Sequence, residues 1–413
     1  MMSRTLLRQT GRRRMEISNR IRGFQASPIR RLSPYAREAK QKGIKVYHLN
    51  IGQPDIKSPK EALDAIHSYP NDIIAYGESD GDLALRNAVV KYYNESVGVD
   101  VSVNDVLITT GGSEAILFSL MALCDPGDEV IVPEPYYTNV HSFARMANVT
   151  IVSVTSLLED NFALPPLSMI EERITSKTRA IMLNSPNNPT GHIYSPKELE
   201  TILKMCKEHD IFLIVDEVYR EFCYDGLNFT SVLKYKDYSD RVICIDSVSK
   251  RFSMCGARVG VLISRNRNVI RETLKLSQAR LCSPTVEQYA SLAAFGAPAD
   301  YIENVKREYE KRRDFIVKAL AKIPGVKCAR PNGAFYLIAQ LPVEDAEDFA
   351  IFMLRDFNYK GETVMLAPAE GFYESKDLGR DQVRIAYVLN TEDLEKACNC
   401  LAEGLKAYGQ RTL

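Results

Sequence analysis

The chain has 413 residues, enough for two or three packed domains, and its 45% hydrophobic and 26% charged content excludes disorder, collagen and coiled coil as the overall class. Its 53 basic residues balance 53 acidic ones, so bulk charge gives no reason to expect nucleic acid or an acidic membrane, and a small-molecule partner is the default. Nine scattered cysteines without a CxxC pair or Cys/His cluster read as reduced thiols, with no disulfide framework and no metal site, and no apolar stretch reaches the roughly 20 residues that cross a bilayer.

Residues 1–14 come first. They carry Arg4, Arg8, Arg12, Arg13 and Arg14 with Ser3, Thr5 and Thr10, and no acidic residue precedes Glu16. That is the composition of an organellar transit peptide; a disordered tail, or an upstream start with Met15 as the true beginning, fits it as well. The expected location is the cytoplasm, or a mitochondrial-type organelle if the leader targets. Residues 15–50 are expected to pack on a C-terminal domain or a partner subunit.

From Asp105 onward, short β-branched runs at 106–109, 129–132, 150–154, 180–184, 212–216, 242–246 and 259–263 alternate with helical patterns. Strands alternating with helices predict an α/β domain over 51–290, built on a mostly parallel seven-stranded sheet covered on both faces. The apolar run Ile211-Phe212-Leu213-Ile214-Val215 suits a central strand. After Pro284 the pattern turns to long amphipathic helices, including 301–320, and to strand-like pieces at 334–338 and 383–388. A smaller α+β domain over 291–413 is the expectation.

Several motifs fall where strands end. Ser247-Val248-Ser249-Lys250 follows one strand and precedes Gly256-Ala257-Arg258-Val259-Gly260. A lysine at a strand's carboxyl end sits where open α/β sheets bind ligands, and desolvation beside cations would free its amine as a nucleophile; alone, it reads as a surface lysine. Asp216-Glu217-Val218-Tyr219 ends another strand. A buried Asp216 needs a cationic partner such as a pyridinium nitrogen, with Tyr219 near enough to reach a ring hydroxyl, although an ordinary helix cap is also compatible. Asn184-Ser185-Pro186-Asn187-Asn188-Pro189-Thr190-Gly191 forms a turn of fixed shape in which Asn188 could donate to a phenolate oxygen or simply close an Asx turn. Thr110-Gly111-Gly112-Ser113 joins a strand to an apolar helix, an arrangement that can receive a phosphate, with Arg258 and Ser247 as further contacts. Arg384 lies inside Val383-Arg384-Ile385-Ala386-Tyr387, where it either faces solvent or grips a carboxylate with its fork of donors.

In this order the motifs Asn188-Pro189-Thr190-Gly191, Asp216-x-x-Tyr219, Ser247-x-Ser249-Lys250 and Gly256-x-Arg258-x-Gly260 resemble the class I/II pyridoxal-phosphate-dependent aminotransferases of fold type I, near the aspartate aminotransferase subgroup. The resemblance runs from about Ile17 to Leu405. It implies a Schiff-base link from Lys250 to pyridoxal 5'-phosphate, a salt bridge from Asp216 to the pyridinium, ring-hydroxyl contacts from Tyr219 and Asn188, and phosphate contacts from Gly112, Ser113, Ser247 and Arg258. It further implies Arg384 as the clamp on the substrate α-carboxylate and Tyr137 as the ring-stacking aromatic, with Tyr136 its competitor. Gly52 would lie in the loop whose backbone faces the substrate carboxylate. Tyr76 would reach the phosphate of another subunit, hence a homodimer.

The implied reaction moves the amino group of an L-amino acid to a 2-oxo acid such as 2-oxoglutarate by a ping-pong mechanism, with Lys250 as leaving group and general base. A second arginine that reads a distal carboxylate in the aspartate enzymes has no clear counterpart; Arg280 lies close in sequence without aligning convincingly. Rival expectations are a lyase on the same fold, a ligand-sensing module without catalysis, and a nucleotide-binding dehydrogenase, the last opposed by the absent glycine fingerprint.

Overall fold

The computed structural model describes residues 17–25 and 27–410; the basic leader and Met15 lie outside them. The first strand, β1, is Lys45–His48, followed by β2 (Val106–Thr109), β3 (Glu129–Glu134), β4 (Thr150–Thr155), β5 (Thr178–Asn184), β6 (Phe212–Asp216), β7 (Val242–Ser247) and β8 (Gly260–Ile263). Strands β2 to β8 form one seven-stranded sheet in the order β2-β8-β7-β6-β5-β3-β4. Every pairing is parallel except those of β8, which runs antiparallel to both β2 and β7.

Period-two alternation explains why the sheet is buried on both sides. Ile181, Leu183, Leu213 and Val215 feed one core, whereas Ala180, Met182, Ile214 and Ile243 feed the core on the opposite face. Each large aliphatic side chain so buried contributes about 1.5–3 kcal/mol.

The remaining strands are β9 (Lys327–Cys328), β10 (Tyr336–Gln340), β11 (Glu362–Met365), β12 (Ala367–Pro368) and β13 (Gln382–Ala386). Four of them make an antiparallel sheet in the order β12-β13-β10-β9, packed by the helices Asp300–Leu320, Ala346–Arg355 and Thr391–Gly409. β1 pairs in parallel with β11, and Ala36 and Ala39 of helix Ser33–Gln41 pack against Ala350 and Leu354. The described part of the N-terminal segment thus joins the C-terminal body.

Residue 290 marks the expected boundary between the two bodies. It lies inside helix Thr285–Ala294, whose Ala290 and Ala294 belong to the larger core, so the change of body follows this helix. The bodies meet through aromatic rings: Phe222, just beyond β6, lies 5.2 Å from Phe335, which stacks on Tyr309 at 5.0 Å. Among the described residues, no helix is long and apolar enough to cross a membrane.

Candidate active site

The carboxyl ends of β5, β6 and β7 converge with the N-terminus of helix Gly111–Leu123 on a cavity of about 330 Å³, closed from the other body by Tyr336 and Arg384. That volume falls within the range of small-molecule sites. Ser247 ends β7 and caps the short helix Val248–Arg251, accepting the Ser249 N–H at 3.1 Å, and this turn carries Lys250 into the cavity.

Lys250 Nζ donates to the Gly52 carbonyl at 2.8 Å and lies 3.6 Å from Cys255 Sγ. Burial pulls its pKa down, but Tyr336, Cys255 and Tyr137 outweigh burial and the net shift is upward. This corrects the expectation that desolvation beside cationic groups lowers the pKa of the amine: the groups around Lys250 are phenols and a thiol, which favour the ammonium form. Gly52 packs directly under Tyr336: a Cβ there would stand 1.7 Å from the Tyr336 hydroxyl oxygen, so a side chain at this position would force one of them to move.

Asp216 lies beside Asn184 in register, and Asn184 Nδ2 donates to its carbonyl at 2.9 Å. The Asp216 carboxylate accepts one hydrogen bond, from the Val218 N–H at 3.1 Å, and this closes a turn, since no helix follows Asp216 for it to cap. That one bond is not sufficient. The Asp216 pKa is pushed up to about 7, first by burial, with the Val218 N–H opposing, Asp246 and Glu217 raising it further and Lys250 lowering it. Among the described residues no cation forms an ion pair with this carboxylate. A buried carboxylate in that state has room for a cationic ligand atom, as a pyridinium nitrogen would be.

Tyr219 and Asn188 also line the cavity. The Tyr219 hydroxyl lies 2.9 Å from that of Tyr336, and the Asn188 N–H donates to Asn184 Oδ1 at 2.7 Å. Arg384 is 1% exposed, which removes the solvent-facing alternative. Its Nη1 donates to Asn188 Oδ1 at 3.0 Å, Nη2 donates to the Asn50 carbonyl, and Nε is buried without a partner. Burial lowers the Arg384 pKa, with Tyr336, Tyr219 and Tyr137 opposing.

At the other end of the cavity Gly112 and Ser113 open the helix, presenting backbone N–H groups at its positive end. The loop is drawn tight. Gly111 has φ +75°, and a Cβ on Gly260 would stand 2.3 Å from the Gly111 carbonyl carbon. Arg258 reaches over this loop, its Nη1 donating to the Cys255 carbonyl at 3.0 Å. Ser247 Oγ donates to the Val259 carbonyl at 2.8 Å and lies 2.7 Å from Ser249 Oγ.

Tyr137 lines the cavity, whereas the Tyr136 hydroxyl donates to Glu374 at 2.9 Å outside its wall. Tyr76 is 81% exposed and takes no part in the cavity of its own chain. Arg280 is also outside: Nη1 donates to Ser283 Oγ at 2.7 Å and Nε lies 3.4 Å from Glu114. Among the lining residues that sequence reasoning missed are Tyr336, Ser249 and Arg30. Tyr336 had no signal within an apolar strand, Ser249 stood unread inside the lysine motif, and Arg30 was one of a basic pair in the N-terminal segment.

Residues 44–401 match the family model for aminotransferase class I and II. The chain belongs to this family. It is 32% identical over 392 residues to the aspartate aminotransferase of Thermotoga maritima, covering 95% of this chain and 100% of that one. It is 29% identical to the aspartate aminotransferase of Bacillus subtilis, covering 93% and 97%. Among solved structures, a single mutant of Thermus thermophilus aspartate aminotransferase superimposes with TM-score 0.86 at 28% identity, covering 94% of this chain and 99% of that one. An alanine aminotransferase from Pyrococcus furiosus gives 0.86 at 31%, covering 95% and 100%. The enzyme is thus a pyridoxal-phosphate-dependent aminotransferase of fold type I that moves the amino group of an L-amino acid to a 2-oxo acid, not a dehydrogenase. The lone carboxylate of Asp216, the amine of Lys250 and the N–H groups at Gly112 and Ser113 fit the ring nitrogen, the aldehyde and the phosphate of that cofactor.

Proposed function

We propose that Lys250 tethers the cofactor and moves the substrate proton, with Asp216 paired to the ring nitrogen. The observation that carries this reading is the juxtaposition, in one cavity, of a buried amine with a buried carboxylate that lacks a cation. Tyr219 and Asn188 hold the ring hydroxyl and Tyr137 stacks on the ring. Gly112, Ser113, Ser247 and Arg258 hold the phosphate. Pyridoxal phosphate supplies an aldehyde that condenses with amines and a ring that withdraws electrons from the substrate carbon.

Arg384 receives the substrate α-carboxylate, with its unpartnered Nε free to add to the Nη donors, and the Gly52 loop faces the same group. This grip sets the direction of the Cα–H bond. Lys250, in its neutral form, would take the Cα proton. Asp216 keeps the proton on the ring nitrogen throughout. Product must leave before the second substrate enters, so kinetics are ping-pong. Borohydride reduction of the purified holoenzyme followed by peptide mapping tests the assignment: the adduct belongs on Lys250, and Lys250→Ala should stay folded but lose turnover. An adduct elsewhere, or an active Lys250→Ala protein, refutes it. Ammonia or thiol release without a matching amino-acid product would indicate a lyase.

The donor we infer is a dicarboxylic amino acid, with 2-oxoglutarate as acceptor. Support comes from the relatives named aspartate aminotransferase and from Arg30, an exposed arginine on the cavity wall without an ion pair among the described residues. Its neighbour Arg31 is already paired with Glu347 at 2.5 Å. Arg30→Gln should lower kcat/KM for aspartate about tenfold or more relative to alanine, on the scale of one lost charge-assisted hydrogen bond; an unchanged ratio removes Arg30 from the substrate site.

A homodimer is part of the same proposal. Ile73, Ile74 and Tyr76 are 76%, 69% and 81% exposed within four residues of chain, an apolar patch suited to burial against a second copy. Tyr76 would then serve the partner's phosphate site. Sedimentation at micromolar concentration should give twice the chain mass.

A further inference from the structure

Outside the cavity wall, but adjacent in sequence to both Asp216 and Lys250, lies a buried cluster of charges. Asp246, 1% exposed, accepts from Arg251 Nη2 at 2.6 Å and from the Tyr93 hydroxyl at 2.9 Å, and lies 3.2 Å from Arg220 Nη2. Its second oxygen accepts the Ser247 N–H at 2.7 Å. Glu221 pairs with Arg251 Nε at 3.0 Å and Arg220 Nε at 3.2 Å, and accepts the Tyr92 hydroxyl. Glu217 accepts from Ser231 Oγ and the Val232 N–H, while its Oε2 sits 3.7 Å from Arg220 without a hydrogen bond. The guanidinium groups lie on tyrosine faces, Arg220 at 4.0 Å from Tyr93 and Arg251 at 4.4 Å from Tyr92.

Such a cluster is a poor stabilising device. Desolvating five ionisable groups costs more than packing apolar side chains of the same volume, so an account of it must look to something other than fold stability. Its composition supplies one: three carboxylates face two guanidinium groups, and because burial pushes the Glu217 pKa up to about 7, a surplus of negative charge builds in a region of low dielectric as Glu217 ionises. Glu217 directly follows Asp216, Arg251 directly follows Lys250, and Asp246 precedes the cap of the Lys250 helix. The surplus is thus built into the two strand ends that carry the site.

We propose that Asp246, Glu217, Glu221, Arg220 and Arg251 are positioning residues whose excess negative charge favours a cation against Asp216 and so holds the cofactor ring protonated. The proposal rests on the reading of Asp216 and Lys250 given above. The groups facing Asp216 are Glu217 on its own segment, Asp246 from β7, Lys250 from the following helix, and the phenols of Tyr137 and Tyr219. Asp246 and Glu217 both oppose ionisation of Asp216, while Lys250 alone among these favours it.

The test uses the full chain stripped of cofactor and titrated with pyridoxal 5'-phosphate, its dissociation constant measured across pH 5.5–8.5 by absorbance. The profile should break where the coupled pair Asp216 and Glu217 gives up a proton. Glu221→Gln removes one negative charge and keeps the shape; the break should move down by about one pH unit and the dissociation constant at pH 8 should rise on the order of tenfold. Tyr93→Phe removes a neutral hydrogen bond to Asp246 and should leave the break unmoved. A Glu221→Gln protein with an unshifted break and wild-type affinity overturns the proposal. So does a Tyr93→Phe protein that reproduces the Glu221→Gln shift, since the role would then be structural. If Glu221→Gln fails to fold, Asp246→Asn removes the same charge and is judged by the same two readouts. Wild-type protein that gives no borohydride-trapped adduct at Lys250 would defeat the underlying reading instead.

Discussion

Asp216→Asn separates what the fold wants from what the chemistry needs. In the cofactor-free protein Asp216 is 7% exposed and its pKa is raised from 3.8 to about 7, chiefly by burial. An acid that binds its proton more tightly folded than unfolded stabilises the fold fully below its unfolded pKa, and the contribution disappears as pH rises through the folded pKa. The full span corresponds to about 4 kcal/mol, of which about 2–3 kcal/mol falls between pH 5 and pH 8. Asparagine cannot ionise, so the variant loses that dependence.

Denaturant unfolding of both cofactor-free proteins at pH 5, 6, 7 and 8 measures it. The difference between wild type and Asp216→Asn should move by about 2–3 kcal/mol against the wild type from pH 5 to pH 8, falling steadily at first and levelling off above the folded pKa. A flat difference over this interval would show that Asp216 ionises at no cost when buried, and the argument that its carboxylate awaits a cation would collapse. Saturating the wild type with pyridoxal phosphate should cancel the loss at pH 8, because the ionised carboxylate then has its partner. The variant should gain less from the cofactor and transfer amino groups far more slowly.

Two further predictions follow from the other side of the cavity. Arg384→Lys keeps the charge but loses the fork that reaches Asn188 and Asn50 together, so one charge-assisted bond of about 1.5–3 kcal/mol is lost and kcat/KM for any amino acid should fall roughly 10- to 100-fold, mostly in KM; a change under threefold would exclude Arg384 from the carboxylate clamp. Gly52→Ala sets a methyl carbon 1.7 Å from the Tyr336 hydroxyl oxygen and 2.2 Å from Cζ, and the strain should cost about 1–3 kcal/mol in thermal or denaturant stability while displacing the acceptor of Lys250. Wild-type stability in that variant would mean the Gly52 loop yields freely.

The sequence made the large domain legible where burial imposes a pattern. All seven strands of the main sheet fall within a few residues of the expected runs, because a strand covered on both faces must be apolar almost throughout, as Leu213, Ile214 and Val215 are. Pairing order left no such trace. Nothing in residues 259–263 tells that β8 reverses direction and slots between β2 and β7, since an antiparallel and a parallel strand buried on both faces carry the same composition. The end of the larger core left no such trace either: helix Thr285–Ala294 looks like the amphipathic helices after it, and only its contacts place Ala290 and Ala294 in that core.

The site divides in the same way. Lys250, Asp216, Asn188 and Gly112 stand at strand ends within short motifs, where local sequence limits what each can be. Tyr336 and Arg384 reach the cavity from strands β10 and β13, more than 80 residues beyond Lys250, and a tyrosine within an apolar strand is indistinguishable from core until its hydroxyl is seen 2.9 Å from that of Tyr219. For Arg384 a strand-borne arginine is ambiguous because the guanidinium is stable in water or against an anion. Its 1% exposure and its unpartnered Nε decide between them, since a guanidinium buried beside neutral carbonyls and a side-chain amide still lacks a counter-ion. Asp216, with no ion-pairing cation among the described residues, and Arg384, with its unpartnered Nε, thus stand on facing bodies, and the proposed zwitterionic amino acid bound to a cationic ring would answer both at once.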